Sequence, residues 1–120
     1  MAGVIAFVDD LFFQAKLSET ARQTGIGLRI CTTPEALAAA IGEEAPALIV
    51  VDLNARTYPI EALERVRASR PDIPLVAYLS HVQADLAARA RAAGCTEVMP
   101  RSQFVRELAT ILTQAKSASS

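Results

Sequence analysis

Cysteine and histidine are scarce in this 120-residue chain, and their scarcity removes several chemistries at once. The two cysteines, Cys31 and Cys95, lie far apart and form no CxxC pair, and His81 is the single histidine. A disulfide framework needs paired, regularly spaced cysteines, and a structural zinc site needs four thiolate or imidazole ligands. Two reduced thiols in a reducing compartment is the reading that remains. A surplus of positive charge is also missing: 12 Lys and Arg against 13 Asp and Glu leave a net charge of −1. Such a balance offers no phosphate-neutralising surface, so nucleic acid is not expected as a partner. No apolar stretch approaches the roughly 18 residues that a bilayer crossing requires, and the first residues lack the basic start of a secretory signal. With 52% hydrophobic and 21% charged residues, the expectation is a soluble, cytoplasmic domain with one core and no membrane contact.

Against that background the stretch Ala47-Leu48-Ile49-Val50-Val51-Asp52 stands out. An unbroken apolar run with β-branched residues at 49 to 51 reads as a strand buried on both faces, with a carboxylate where it leaves the sheet. Val4-Ile5-Ala6-Phe7-Val8 runs in the same way into Asp9-Asp10. Strand and helix signals alternate five times along the chain. A helix over 11–24 is stopped by Gly25 and Gly27, and Leu28-Arg29-Ile30-Cys31 alternates as an edge strand does. Thr33-Pro34-Glu35 opens a second helix, with Leu37, Ala40 and Ile41 inward and Gly42 as its end. Pro59 opens a third, with Ile60, Leu63 and Val66 inward, broken at Arg70-Pro71-Asp72. Residues 74–79 form an interior strand, 82–93 an alanine-rich helix closed by Gly94, and 97–99 a short fifth strand. Ser102 is expected to cap a last helix with Phe104, Val105, Leu108, Ile111 and Leu112 toward the sheet. One domain over 1–116 and a disordered polar tail over 117–120 complete the organisation.

Five β-α units with apolar strands imply an α/β fold, a doubly wound five-stranded parallel sheet. In the short common order, 2-1-3-4-5, strands one and three meet at the switch point where ligands usually bind. Asp9, Asp10 and Asp52 then share one rim. Three carboxylates about 5 Å apart at an effective dielectric of about 20 repel pairwise by about 3 kcal/mol. A small hard cation such as Mg2+, held by carboxylates, the Asn54 carbonyl and waters, would relieve that repulsion. One carboxylate could then act as nucleophile toward phosphorus, with Arg101 as the positive side chain opposite. The plain alternative is that these aspartates only cap helices one and three.

At these residues the chain resembles the receiver domain of bacterial two-component response regulators, from Val4 to Lys116. The likeness is carried by Val8-Asp9-Asp10, by the run from Ile49 to Asp52 with Leu53-Asn54, by Pro74 opening strand four, and by Ala92-Ala93-Gly94-Cys95 before strand five. It implies the flavodoxin-like receiver fold and a role in phosphorelay signalling. Asp52 would be the phosphoacceptor, Asp9 and Asp10 the metal-side acids for Mg2+, and Asn54 a carbonyl ligand. It further implies a signalling module rather than an enzyme, with at most self-phosphorylation and dephosphorylation at Asp52.

Departures from the family pattern accompany the match. The position of the usual Thr or Ser hydroxyl is Leu79, with Ser80 beside it but pointing the other way. The usual lysine is Arg101, the proline after it is Ser102, and the aromatic of strand five is Val98. After Asp52 the customary Pro and Gly are Arg56 and Ile60. Two readings follow: a phosphoacceptor with a weakened switch, or a pseudo-receiver that binds a protein partner without phosphate. The partner surface expected is helix four, strand five and the last helix, for a histidine kinase, another signalling protein, or a second copy of the chain. Ala87, Ala88, Ala90, Arg91 and Ala92 on helix four would let another helix approach, unless they are ordinary sheet-facing alanines. His81 reads as an exposed loop side chain near the pocket mouth. Flavin and dinucleotide binding are excluded, because the loop after strand one is acidic rather than glycine-rich. A haloacid-type hydrolase would carry Asp-x-Asp there, and this chain does not.

Overall fold

The computed structural model describes residues 3–80 and 83–119. Five strands alternate with five helices: β1 (Val4–Phe7), α1 (Leu11–Thr24), β2 (Leu28–Cys31), α2 (Pro34–Glu43), β3 (Leu48–Asp52), α3 (Pro59–Ser69), β4 (Leu75–Leu79), α4 (Ala84–Ala92), β5 (Glu97–Pro100) and α5 (Arg101–Ser119). All the strand pairs are parallel, in the order β2-β1-β3-β4-β5. The expected doubly wound α/β sheet is the one the chain adopts.

Side-chain parity divides the core in two. Ile5, Phe7, Ile49, Val51, Leu75, Ala77 and Leu79 face α2, α3 and α4, where they meet Leu37, Ile41, Leu63, Val66 and Ala90. Val4, Ala6, Val8, Leu48, Val50, Val76 and Tyr78 face the other layer, against Leu17 of α1 and Phe104, Leu108 and Leu112 of α5. A strand covered on both faces has no wet side, which is why β1, β3 and β4 read as continuous apolar runs. The edge strands are less covered, and only Cys31 of β2 and Met99 of β5 are buried.

Helix ends follow local chemistry. Thr33 accepts from the Ala36 N–H at 3.0 Å, with Pro34 behind it at the first helical position. Gly25 ends α1 in the left-handed conformation, φ +74°. Four expectations shift. Gly42 does not end α2, which runs on to Glu43 because a glycine without left-handed φ is tolerated inside a helix. Ser102 is not a cap: α5 starts one residue earlier, at Arg101, directly from β5. Residues 117–119, expected as disordered tail, continue α5, since no proline or glycine interrupts them and Lys116 Nζ donates to the Thr24 carbonyl. α4 starts at Ala84. His81 and Val82, for which an exposed loop and a helix start were expected, lie outside the described residues.

Helix four carries both readings given to its alanines. Ala90 is buried against the sheet, whereas Ala88, Arg91 and Ala92 are exposed. α4 is tied to α3 by Arg67, whose Nη2 and Nε donate to the Gly94 carbonyl at 2.6 and 3.1 Å.

Two glycines should respond oppositely to alanine. At Gly94, φ is +114° and an added Cβ would fall 2.6 Å from Arg67 Cγ. Gly94→Ala is expected to lower stability by about 2 kcal/mol, the scale of a strained non-glycine conformation. At Gly42, inside α2, nothing lies within 4 Å of the added Cβ. Gly42→Ala is expected to raise stability by about 0.5–1 kcal/mol. Urea unfolding of the two variants beside the wild type checks both signs.

Candidate functional site

Because β1 and β3 run parallel with Phe7 opposite Val51, both chains leave the sheet at the same rim. Asp9 and Asp10 follow β1 there, and Asp52 ends β3. Arg101 arrives from the far side as the first residue of α5. Asp9, Asp10, Asp52, Asn54, Arg56 and Arg101 line one cavity of 390 Å³. The expected site residues are therefore brought together, and Arg56 joins them from the loop after β3.

The three carboxylates are held differently. Asp10 is the N-cap of α1: its Oδ1 accepts from the N–H groups of Phe12 and Phe13 at 2.9 and 3.2 Å. Its Oδ2 accepts from Arg101 Nη2 at 3.0 Å. The Arg101 bond, then the Phe13 N–H, hold the Asp10 carboxyl below the usual carboxylate range. Asp9 Oδ2 accepts from the Arg56 N–H at 2.9 Å, which ties the loop after β3 to the end of β1. Asp52 is only 5% exposed, and its Oδ1 accepts from the Asn54 N–H at 2.8 Å. Burial pushes the Asp52 carboxyl up, and the charges of Asp9 and Asp10 push the same way. The Asn54 N–H and the Arg101 charge oppose that shift without cancelling it. So the capping role weighed for these aspartates holds for Asp10 at α1. It does not hold at α3, whose N-cap Tyr58 makes no side-chain cap bond.

The positions that depart from the receiver pattern are filled, not empty. Leu79 is 4% exposed and packs into the core layer under α4. Ser80, one residue on, turns its hydroxyl and N–H to Asn54 Oδ1 at 3.0 and 2.6 Å. Asn54 Nδ2 in turn donates to Gln83 Oε1 at 2.8 Å. The Asn54 side chain thus pins the segments on both sides of residues 81–82. Val98 is half-buried and packs on the same core layer as Leu79.

The aromatic layer beside Asp52 was not foreseen from the sequence. Tyr78 lies in register with Asp52, with its ring stacked on Phe104 at 4.7 Å between centroids and tilted against Phe13 at 4.7 Å. The Arg101 guanidinium carbon sits 4.7 Å over the Phe13 ring. The Tyr78 hydroxyl is buried with no hydrogen-bond partner among the described residues. Burial, and then the neighbouring Asp52 charge, push its phenol well up, so it stays neutral. The only signal for it in the sequence was its parity with Asp52 across two neighbouring strands.

A divalent ion needs oxygen ligands free to turn toward it. Both oxygens of Asp10 are taken, by the helix cap and by Arg101. Among the described residues no three His, Cys, Asp or Glu side chains come close enough to share one ion. Asp9, Asp10, Asp52 and Asn54 share a cavity, but as arranged they do not fit a metal site that uses all three carboxylates.

No family model matches the sequence, and no curated relative does. Solved structures do match. The chain is similar to the Vibrio cholerae chemotaxis protein CheY4, with a TM-score of 0.83 and 18% identity over 96% of this chain and 98% of that one. The beryllofluoride-activated NtrC4 receiver domain, described as a dimer, gives 0.80 and 19% over 98% of each chain. The NtrX receiver domain from Brucella abortus gives 0.76 and 17% over 92% and 98%. Against a longer NtrX chain from that organism the match spans 28% of the longer chain. At these identities the likeness establishes the fold, the CheY-like, flavodoxin-like receiver fold.

Asp52 and Asp10 should set opposite pH dependences of stability. A carboxyl raised by burial makes its favourable contribution below its ordinary value of 3.8, and loses it as the pH rises through the folded-state value. Asp52→Asn is therefore expected to raise the melting temperature at pH 7 by about 4 °C, the scale of about 1 kcal/mol in a chain of this size. The gain should vanish as the pH falls to the range where Asp52 is protonated in both states. A carboxyl lowered by its partners contributes above its ordinary value and loses that contribution in acid. Asp10→Ala is expected to cost about 1–2 kcal/mol at neutral pH, mostly as a lost cap, with the deficit shrinking in acid. Calorimetric scans across pH check both slopes.

Proposed function

We propose that this chain, which has the receiver fold, is a two-component signalling module whose Asp52 accepts a phosphoryl group from a histidine kinase or a small phosphodonor. The observation that carries the reading is the buried Asp52 carboxylate at the end of a central strand, in one cavity with two further acids, Arg56 and Arg101. In the step proposed, an Asp52 oxygen attacks phosphorus, and the bond from phosphorus to the donor's imidazole nitrogen or carboxylate oxygen breaks. The donor leaves with that electron pair, and an acyl phosphate remains on Asp52. Arg101 supplies positive charge against the phosphoryl oxygens, and Asn54, through Ser80 and Gln83, links the pocket to the start of α4. The module is not an enzyme beyond forming and losing this adduct. Mg2+ assists at most weakly, since Asp10 is already engaged.

A second reading, a pseudo-receiver that binds a partner without phosphate, is favoured by Leu79 and Ser80. The first is buried carbon where a hydroxyl would be needed, and the second has its hydroxyl on Asn54. One missing hydrogen bond to a charged group weakens the phosphorylated state by about 1.5–3 kcal/mol. In both readings the partner, a kinase or another signalling protein, meets α4, β5 and α5, where Leu79, Ala84, Ala87, Arg91 and Val98 line a shallow hollow of 140 Å³. A second copy of the chain is a further candidate for that face. A cytoplasmic site is proposed; among the described residues no helix is long and apolar enough to cross a membrane.

Incubation with acetyl phosphate, and separately with beryllofluoride, tests the choice by intact mass and amide NMR. The first reading expects a phosphoryl adduct on the wild type, none on Asp52→Asn, and shifts that spread to β5. No adduct, with partner binding kept in Asp52→Asn, overturns the first reading in favour of the second. Leu79→Thr should tighten beryllofluoride binding about tenfold or more, the equivalent of at least ~1.4 kcal/mol, if the missing hydroxyl is what limits it.

A further inference from the structure

We propose that Arg56 is an anion-recruiting residue: its guanidinium captures the dianionic phosphate of a small acyl phosphate at the mouth of the Asp52 pocket. The proposal rests on the reading of Asp52 as phosphoacceptor and names what that site selects in a donor.

The place of Arg56 is fixed by backbone bonds. The Ala55 N–H donates to the Asp52 carbonyl at 3.1 Å, and the Arg56 N–H donates to Asp9 Oδ2 at 2.9 Å. The residue is thus tied to the acids that end both central strands, and it lines the cavity they share. The customary proline of receivers at this position would have neither the N–H that Asp9 accepts nor a charge.

The side chain itself is uncommitted. Arg56 is exposed, and its guanidinium makes no hydrogen bond or ion pair among the described residues. The acids nearby are engaged in other ways. Asp9 Oδ2 takes the backbone N–H, Asp10 spends both oxygens on α1 and Arg101, and Asp52 is 5% exposed. Arg101, the other arginine of the cavity, spends Nη2 on Asp10 and lies against the Phe13 ring. An arginine beside three carboxylates is therefore left free to meet an anion that enters.

A doubly charged phosphate approaching three acids and two arginines meets net repulsion. A planar guanidinium fork matches two oxygens of a tetrahedral phosphate and holds them by paired charge-assisted hydrogen bonds. Arg56 supplies that attraction at entry, and Arg101 faces the same oxygens once phosphorus stands at Asp52. In the transfer a bond forms from an Asp52 oxygen to phosphorus, and the bond from phosphorus to the bridging acyl oxygen breaks. The donor carboxylate leaves with that electron pair.

Time courses of adduct formation on the intact chain, read by intact mass, test this with two donors: acetyl phosphate, a dianion, and phosphoramidate, which carries one net negative charge. Arg56→Met keeps the backbone N–H. It is expected to lower the second-order rate constant for acetyl phosphate at least tenfold and that for phosphoramidate by less, with Arg56→Lys in between. Added salt should slow the wild type toward the rate of Arg56→Met, since it screens the attraction. An equal loss with both donors, or no loss with either, overturns the proposal. A wild type that takes no phosphoryl group from either donor sinks the reading of Asp52 instead. Arg56 is then decided by titration with acetonylphosphonate, the acetyl phosphate analogue with CH2 in place of the bridging oxygen. The Arg56 Nε–H resonance is expected to shift in the wild type and in Asp52→Asn; a resonance unmoved at tens of millimolar overturns the capture.

Discussion

Phe7 lies opposite Val51 because β1 and β3 pair in parallel, and a parallel pair must release both chains at the same end. Residues some forty positions apart in sequence therefore meet at one rim, with their carboxylates toward a common cavity. The pairing is held by Val4, Ile5, Ala6 and Phe7 against Leu48 to Val51, all of them buried. The site's acidity is thus a by-product of core packing: the strands are fixed by apolar burial on both faces, and the charges must be accommodated where those strands stop.

The accommodation is uneven. Asp10 is satisfied by a helix N-terminus and a guanidinium, and these lower its proton affinity. Asp52 has one backbone donor and lies buried between like charges, so its ionised form is held against a penalty. The arginine that relieves the rim rests on an aromatic stack, Phe13 with Tyr78 and Phe104, which couples the pocket to the α1/α5 core layer.

The opposite layer carries two of the departures. Leu79 and Val98 fill space beside α4 with carbon, and Ser80 is bound to Asn54. Leu79 is buried among core carbon, whereas Val98 is half-buried and lines the shallow hollow beside α4. The two functional readings differ over whether Asp52 accepts a phosphoryl group.

The periodicity of this chain was enough to predict its α/β class, its strand order by fold rules, and the inward faces of α2, α3 and most of α5, because apolar patterning reflects burial directly. Val105 is the exception on α5, at 37% exposed. Asp9, Asp10, Asp52, Asn54 and Arg101 were legible as a set because strand ends in a parallel sheet must converge. What those residues bond to was not legible. That Arg101 would pair with Asp10 depends on where α5 begins, one residue before the serine that looked like its cap. That Asp10 would spend one oxygen on α1 depends on backbone dihedrals at a single turn. Register set Tyr78 beside Asp52, and the loop path brought Arg56 into the cavity, which no local pattern encodes. Local composition decides which segments are buried, while hydrogen bonds and charge pairs are made between segments, and only the packed chain brings their partners within 3 Å or so.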